Sequence, residues 1–172
     1  MRSIVRAAST AALGTLALSL LGVPGGVPAA TPAPAVSLVA AASSPAQQML
    51  ALVNAERAKA GCQPVSLESR LNSAAAKHSQ DMAQRNFIDH VGRDGSNFVV
   101  RTEREGYPDP RSENIAAGST TAQATLEQWM TSAGHRRNIL DCSAKEMGVG
   151  IASANDSRFG TYWTQEFGLG TG

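Results

Sequence analysis

Two histidines and one glutamate stand out because their side chains can bind a metal ion or transfer protons. His90, Glu113 and His135 lie in three separate polar segments of the chain. Imidazole nitrogen and carboxylate oxygen suit a divalent transition metal, and some zinc hydrolases use two histidines and a glutamate with an open fourth position. Their spacing is not that of a His-Glu-x-x-His helix and gives no geometric support. The first expectation is weak coordination of zinc or another divalent cation. The second is a hydrogen-bonded cluster that fixes loops around a cleft, and the third is general acid-base catalysis.

Three polar residues, Ser132, Gln165 and Asn114, are secondary candidates for the same cleft. Ser132 lies three residues before His135 and could act as an activated hydroxyl oriented through that histidine. No Gly-x-Ser-x-Gly sequence accompanies it, which disfavours a serine hydrolase. Gln165 could point into the cleft from the last predicted strand, although a strand face of this kind is more often core. Asn114 and Asn138 are expected to fix loops, because a buried amide can satisfy several backbone groups.

The N-terminal segment has the layout of a secretory signal peptide. Arg2 and Arg6 precede an apolar run over residues 11–23, and small residues follow. The run is too short and too rich in Ala and Gly to span a bilayer comfortably, since spanning takes about 20 apolar residues. We predict a signal peptide over residues 1–29, with cleavage as late as Ala41 as the alternative, and a secreted, extracellular protein.

The remaining chain is predicted to be a flexible linker followed by one domain. Residues 30–45 are almost entirely Ala, Pro, Val, Ser and Thr, whereas residues 46–170 have the size of an ordinary domain. Without the two leader arginines, 13 Lys and Arg residues stand against 14 Asp and Glu residues. This balance gives no reason to expect a nucleic acid partner. We expect a monomer with no transmembrane segment in the mature chain.

Periodicity in the domain predicts helices first and strands last. Helices are expected over residues 45–59, 68–85, 97–104 and 121–131, and strands over residues 147–152 and 162–167. His78 falls within the second helix, where a satisfied helix histidine is more common than a ligand. Helices that precede a strand pair indicate an α+β fold, in which helices cover a small antiparallel sheet.

The domain contains two cysteines, Cys62 and Cys142. In an exported chain the default for such a pair is one disulfide, because the compartment is oxidising. The pair lacks the C-x-x-C spacing of redox and metal sites, so these roles are disfavoured. The bridge would join the end of the first helix to the segment after His135.

Several short motifs in the right order resemble the bacterial branch of the CAP superfamily, also called SCP-like extracellular proteins. This family includes cysteine-rich secretory proteins, insect venom antigen 5 and plant pathogenesis-related proteins of class 1. The motifs span nearly the whole domain and are His90, Glu113 to Ala116, Gly134 to Leu140, Gly148 to Gly150, and Tyr162 to Gly168. The resemblance implies a three-layer α-β-α sandwich with a central antiparallel sheet and a cleft on one side.

The resemblance also implies a cleft with two histidines and two glutamates. His90 and His135 match the histidine positions and Glu113 matches the first glutamate, whereas Ser132 stands where the second glutamate is expected. The missing carboxylate removes a negative charge from the site. We therefore expect any divalent binding to be weak or pH-dependent.

These observations favour a secreted, non-enzymatic binding module over an enzyme. The alternatives are a metal-assisted, peptidase-like hydrolase of extracellular or cell-surface substrates, and a lipid- or sterol-binding module, because some family members are associated with sterols or fatty acids. The expected partner is an unknown small molecule, lipid or extracellular ligand. The chain has eight aromatic residues in all, several of them expected in the core, so lipid binding is inferred from the family alone.

Overall fold

The computed structural model describes residues 43–170, so the predicted signal peptide and most of the predicted linker lie outside the described residues. The helices are α1 Pro45–Lys59, α2 Ser69–Gln84, α3 Phe98–Arg104, α4 Ala122–Thr131 and α5 Ala133–Ile139. The strands are β1 Ser66–Leu67, β2 Pro110–Ala117, β3 Glu146–Ser153 and β4 Thr161–Gly168. Between residues 43 and 170, no helix is both long and apolar enough to cross a membrane.

Polar side chains at the helix starts explain why the predicted helices form where they do. Ser44 caps α1 in a reciprocal capping box with Gln47, and Pro45 occupies the first turn, where a missing N–H costs nothing. Asn97 accepts a hydrogen bond from the first turn of α3, and Thr121 does the same for α4. The predicted bounds of α1 are confirmed at both ends, and the other three predicted helices agree within one residue.

The sheet contains four strands in the order β1-β3-β4-β2. β4 lies in the centre and pairs antiparallel with both long neighbours, whereas the two-residue β1 adds a short parallel edge. The predicted terminal strand pair is confirmed as β3 and β4. β1, β2 and α5 were not predicted, because β1 has only two residues, β2 carries polar residues at buried positions, and the short α5, unlike α3, begins without a side-chain cap.

Helices cover both faces of this sheet, which confirms the predicted α+β class and three-layer α-β-α sandwich. On one face α1, α4 and α5 pack against the sheet around Trp129, Trp163 and Phe167. On the other face lies α2, whose Met82 packs with Tyr162. Residues that pair across β2, β3 and β4 share a face, so the register decides which side chains meet in each layer.

The face under α2 depends on two glycines of β3. A Cβ on Gly148 would lie 2.1 Å from the backbone carbon of Leu71, and a Cβ on Gly150 would lie 2.1 Å from that of Ala75. Helix backbone and strand backbone are therefore in direct contact, because no side chain separates them. Ser79 of the same helix donates a 3.0 Å hydrogen bond to the Gly150 carbonyl, which fixes the helix along the strand.

A disulfide and a buried arginine hold the segment after α5. The predicted Cys62–Cys142 bridge is confirmed and spans a sequence separation of 80 residues, for which the chain-entropy model gives about 4 to 5 kcal/mol of stabilisation. Arg57 of α1 is fully buried and donates to the carbonyl oxygens of Ile139 and Ala144 at 2.8 and 2.9 Å. The chain after α5 is thereby tied to α1 by both covalent and hydrogen bonds.

Substituting a glycine under α2 should therefore destabilise the fold strongly. We expect Gly150→Ala to lower the free energy of unfolding by about 3 kcal/mol or more, because the added methyl group meets helix backbone that cannot move independently. Urea denaturation measures this change. Gly134→Ala is the matched control, since its Cβ would have no neighbour within 4 Å and the change should alter stability by no more than about 1 kcal/mol. Equal effects of the two substitutions would contradict direct backbone contact.

Candidate functional site

Glu113 is the centre of the site and lies on β2, the strand at the sheet edge, facing the α2 layer. Its side chain is only 1% exposed. Its Oε1 accepts a 2.7 Å hydrogen bond from His90 Nδ1, and its Oε2 accepts a short hydrogen bond from Arg101 Nη2. Burial opposes ionisation of Glu113, but these two donors outweigh it and hold the pKa of this carboxyl below its usual value.

Arg101 of α3 is a site residue that the sequence analysis missed. Besides Glu113, its Nη1 donates to the carbonyl oxygens of Ser96 at 2.8 Å and His90 at 3.1 Å. The residue is 7% exposed, so it is a buried cation that joins the loop before α3 to β2. The only sequence signal was an arginine within a short predicted helix, a pattern that also fits a solvent-exposed face.

His90 presents the exposed side of the site. Its side chain is 54% exposed, and its Nε2 has no hydrogen-bond partner within residues 43–170. The hydrogen bond to Glu113 raises the pKa of His90, and burial opposes this only in part. When it is protonated, the ring holds an N–H donor toward solvent while its other nitrogen is anchored to a buried carboxylate.

His135 lies near this pair but does not bond to it. It is half-buried in α5, and its Nδ1 is buried without a partner in the described chain. Burial lowers the pKa of His135, and the positive charge of His90 lowers it further. The structure therefore brings His90 and Glu113 into contact and places His135 within electrostatic range of His90.

An amide network on the opposite face of the sheet holds α5 in place. Asn138 Nδ2 donates to the Glu113 carbonyl at 3.1 Å and to Asn114 Oδ1 at 2.9 Å. Asn114 Nδ2 in turn donates to the His135 carbonyl at 3.2 Å and to Gln165 Oε1 at 3.0 Å. Both asparagines thus make the bonds expected of loop-fixing amides. Gln165 is completely buried beside them, on the face away from the Glu113 side chain.

Ser132 is placed at the junction of α4 and α5. It is half-buried, and its hydroxyl makes no capping bond to α5. In the described part of the chain no hydrogen bond joins it to His135. The contact that would activate this hydroxyl as a nucleophile is not formed in this structure.

A cleft of about 310 Å³ opens beside His90 and Glu113. Its wall combines polar groups, among them Asn138 and the unpartnered hydroxyl of Ser112, with the ring of Phe98. Val91 follows His90 in sequence, lines the same cleft and is 48% exposed. The surface around the imidazole is therefore amphipathic, because polar groups lie beside the apolar side chains of Val91 and Phe98.

A second concavity of about 240 Å³ lies between α2, α3 and the loop that joins them. Ion pairs border it, including Lys77–Glu105 and Arg104–Asp94, both at 2.5 Å. His78 lies at its base, nearly completely buried, and is within 2.9 Å of the Asp89 carbonyl through Nε2. Burial lowers the pKa of His78. This agrees with the interpretation of His78 as a helix histidine that holds a loop.

The three predicted residues do not present a free ligand set in this arrangement. Both oxygens of Glu113 already accept hydrogen bonds, and His135 does not reach the pair. Among residues 43–170, no group of three or more His, Cys, Asp or Glu side chains is positioned to hold a metal ion. A divalent ion would have to displace Arg101 or His90 from Glu113, so metal coordination stays a prediction and no chemical step is assigned to it.

Comparison with known proteins agrees with this architecture. The family model described as the cysteine-rich secretory protein family, CAP, matches residues 50–167. The chain belongs to the CAP family. YkwD from Bacillus subtilis is 35% identical over 122 residues, which cover 70% of this chain and 46% of YkwD. The resemblance noted in the sequence is thus confirmed.

Two solved structures have the same fold as this CAP domain. An extracellular protein containing a SCP domain from Bacillus anthracis has a TM-score of 0.65 and 28% identity, covering 73% of this chain and 40% of that protein. An outer surface protein from Borrelia burgdorferi has a TM-score of 0.64 and 14% identity, covering 72% of this chain and 91% of that protein. This CAP chain spans less than half of YkwD and of the Bacillus anthracis protein.

The electrostatic relation between His90 and His135 can be measured directly. We expect His90→Gln to raise the pKa of His135, because a neighbouring positive charge is removed while the burial remains. Titration of the imidazole signals by NMR measures both values. In the parent protein, His90 should titrate above the usual pKa of about 6.5 and His135 below it. Lys59→Gln, a change at an exposed lysine of α1, is the control. An unchanged His135 titration in His90→Gln would show that the two rings do not share the cleft.

Proposed function

We propose that this CAP domain is a secreted, non-enzymatic binding module whose cleft takes an amphipathic ligand with a carboxylate or similar acceptor group. One observation carries the proposal, namely that the exposed His90 imidazole lines the cleft together with Val91 and Phe98 and is anchored from behind by Glu113. When His90 is protonated, a positive charge beside apolar side chains complements a ligand with an anionic head and an apolar body. Extracellular relatives support the location, since the Bacillus anthracis protein of the same fold is described as extracellular.

The arrangement of the acidic residue disfavours catalysis as the primary role. A general base needs a lone pair that faces the substrate, and both Glu113 oxygens are engaged inside the protein. Ser132 lacks contact with His135. The metal-assisted hydrolase therefore remains the second candidate, and it requires the site to rearrange.

The ligand class can be tested with three small probes that separate charge from apolar surface. Octanoate carries both features, 1-octanol lacks the charge and acetate lacks the apolar chain. We expect octanoate to perturb the NMR signals of His90, Val91 and Phe98, which line the cleft, with the other two probes binding more weakly. Since an exposed charge contact contributes about 0.2 to 1 kcal/mol, losing it should weaken binding by a factor of about 1.4 to 5.

Two substitutions separate the contributions of the cleft residues. His90→Gln should reduce the preference for octanoate over octanol, and Val91→Ser should weaken octanoate and octanol alike. Binding of octanoate should also weaken as the pH rises through the raised pKa of His90, because the imidazolium loses its charge. Equal affinity for octanol and octanoate, or shifts remote from His90, would refute the anionic-head proposal and leave a purely apolar lipid site as the alternative.

The metal-assisted alternative is tested by calorimetric titration with zinc at pH 6 and pH 7.5. We expect no tight binding at pH 6, because Glu113 is already hydrogen-bonded and the His90 pKa is raised. The double variant His90→Ala/His135→Ala is the control for non-specific binding. Tight stoichiometric binding at pH 6 that disappears in this variant would favour the hydrolase candidate.

A further inference from the structure

Glu166 is a buried carboxyl group that neither the sequence motifs nor the proposed ligand contacts explain. It lies in β4 directly opposite Glu113 of β2 and Gly148 of β3. The residue has no exposed surface. Paired residues of antiparallel strands point to the same face with Cβ atoms about 4.5 to 5.5 Å apart. Two carboxyl side chains are therefore neighbours beneath α2.

The two glutamates differ in the number of hydrogen-bond donors that reach them. Glu113 accepts from His90 and Arg101, whereas neither Glu166 oxygen meets a donor among the described residues. A buried carboxylate without donors is strongly unfavourable, and buried polar groups in folded proteins nearly always have a partner. The polar side chain directly opposite Glu166 on the neighbouring strand is the carboxylate of Glu113. Two carboxylates cannot bond to each other unless one of them carries a proton.

We propose that Glu166 is a neutral carboxylic acid that donates its O–H to the Glu113 carboxylate and thereby acts as a positioning residue for the His90 site. Glu113 then accepts hydrogen bonds from three donors, which are His90 in a loop, Arg101 in α3 and Glu166 in β4. Each donor comes from a different element, so the carboxylate cannot rotate without breaking one of them. The proposal concerns the protein's own proton and holds whichever ligand the cleft takes.

The charges that face Glu166 agree with this assignment. Burial raises the pKa of Glu166 well above its usual value, and the negative charge of Glu113 raises it further. Arg101 of α3 acts in the opposite direction, although its guanidinium is already engaged by Glu113. From α2, His78 adds no charge at neutral pH because its pKa is lowered. β3 contributes Gly148, which has no side chain, and His90 reaches the pair only through Glu113.

The protonation state can be read in the unmodified protein. We expect the side-chain carboxyl carbon of Glu166 to have the NMR shift of a protonated acid at pH 7 and to show no titration step near the usual glutamate pKa of about 4.3. Glu166→Gln assigns the signal by removing it. A Glu166 signal that titrates at the usual glutamate pKa would overturn the proposal, and this measurement does not depend on whether any variant folds.

Two substitutions distinguish a proton donor from a side chain that merely fills space. Glu166→Gln keeps an N–H donor for Glu113, whereas Glu166→Met keeps a similar volume and has no donor. We expect the pKa of the Glu113 carboxyl to rise in Glu166→Met and to stay close to its parent value in Glu166→Gln. If Glu166 only filled the interior, the apolar methionine would be at least as stable as glutamine, and Glu113 would titrate identically in both variants.

The pH dependence of stability supplies an independent measurement. Because its folded pKa is raised, Glu166 contributes stability that is fully present below its unfolded pKa and is lost as the pH rises through the folded value. Glutamine does not ionise, so Glu166→Gln should gain stability relative to the parent protein as the pH is raised in urea denaturation series. Parallel pH profiles of the two proteins up to alkaline pH would contradict a proton held by Glu166.

Discussion

The close contact between α2 and β3 determines how the rest of this structure is assembled. Gly148 and Gly150 allow the helix backbone to lie directly on the strand, without intervening side chains. Over these two glycines the helix therefore sits too close to the sheet for large side chains, and small and polar groups fill the space, whereas Met82 and Tyr162 pack together elsewhere in the layer. Ser79 bonds to Thr164 at 2.9 Å beside Gly150. The polar character of this part of the layer follows from the backbone distance.

The polar layer explains how a charged site can form at a sheet edge. Glu113 lies on the outer strand, where its side chain is buried on one side by α2 and α3 and remains reachable through His90 on the other. Arg101 compensates its charge inside the protein, so the exposed imidazole carries the site's electrostatic character to the surface. A buried ion pair of this kind adds little net stability, because desolvation offsets most of the attraction. Its effect is to fix the geometry of His90.

The sequence predicted the parts of the fold that have strong local signals. Ser44 caps the start of α1, and Gly61, with a φ of 75°, follows its end. β2 could not be found in this way, because Glu113 and Asn114 are both buried and both hydrogen-bonded, so the strand lacks alternation of apolar and polar residues. His90, Glu113 and His135 were identified by residue type and family resemblance. Their relative positions depend on the contacts of three elements and are not encoded in spacing.

Missing β2 also accounts for the failure to recognise Glu166 as part of the site. Alternation along β4 places Glu166 on the face opposite Trp163 and Gln165. Glu166 lies against Glu113 only because of the register between β4 and β2. This register cannot be worked out from the sequence when β2 itself is not predicted. Local sequence can therefore assign a face to a titratable side chain. The partner that sets its protonation state is a property of tertiary structure, because the two glutamates are 53 positions apart in the chain and meet only across the sheet.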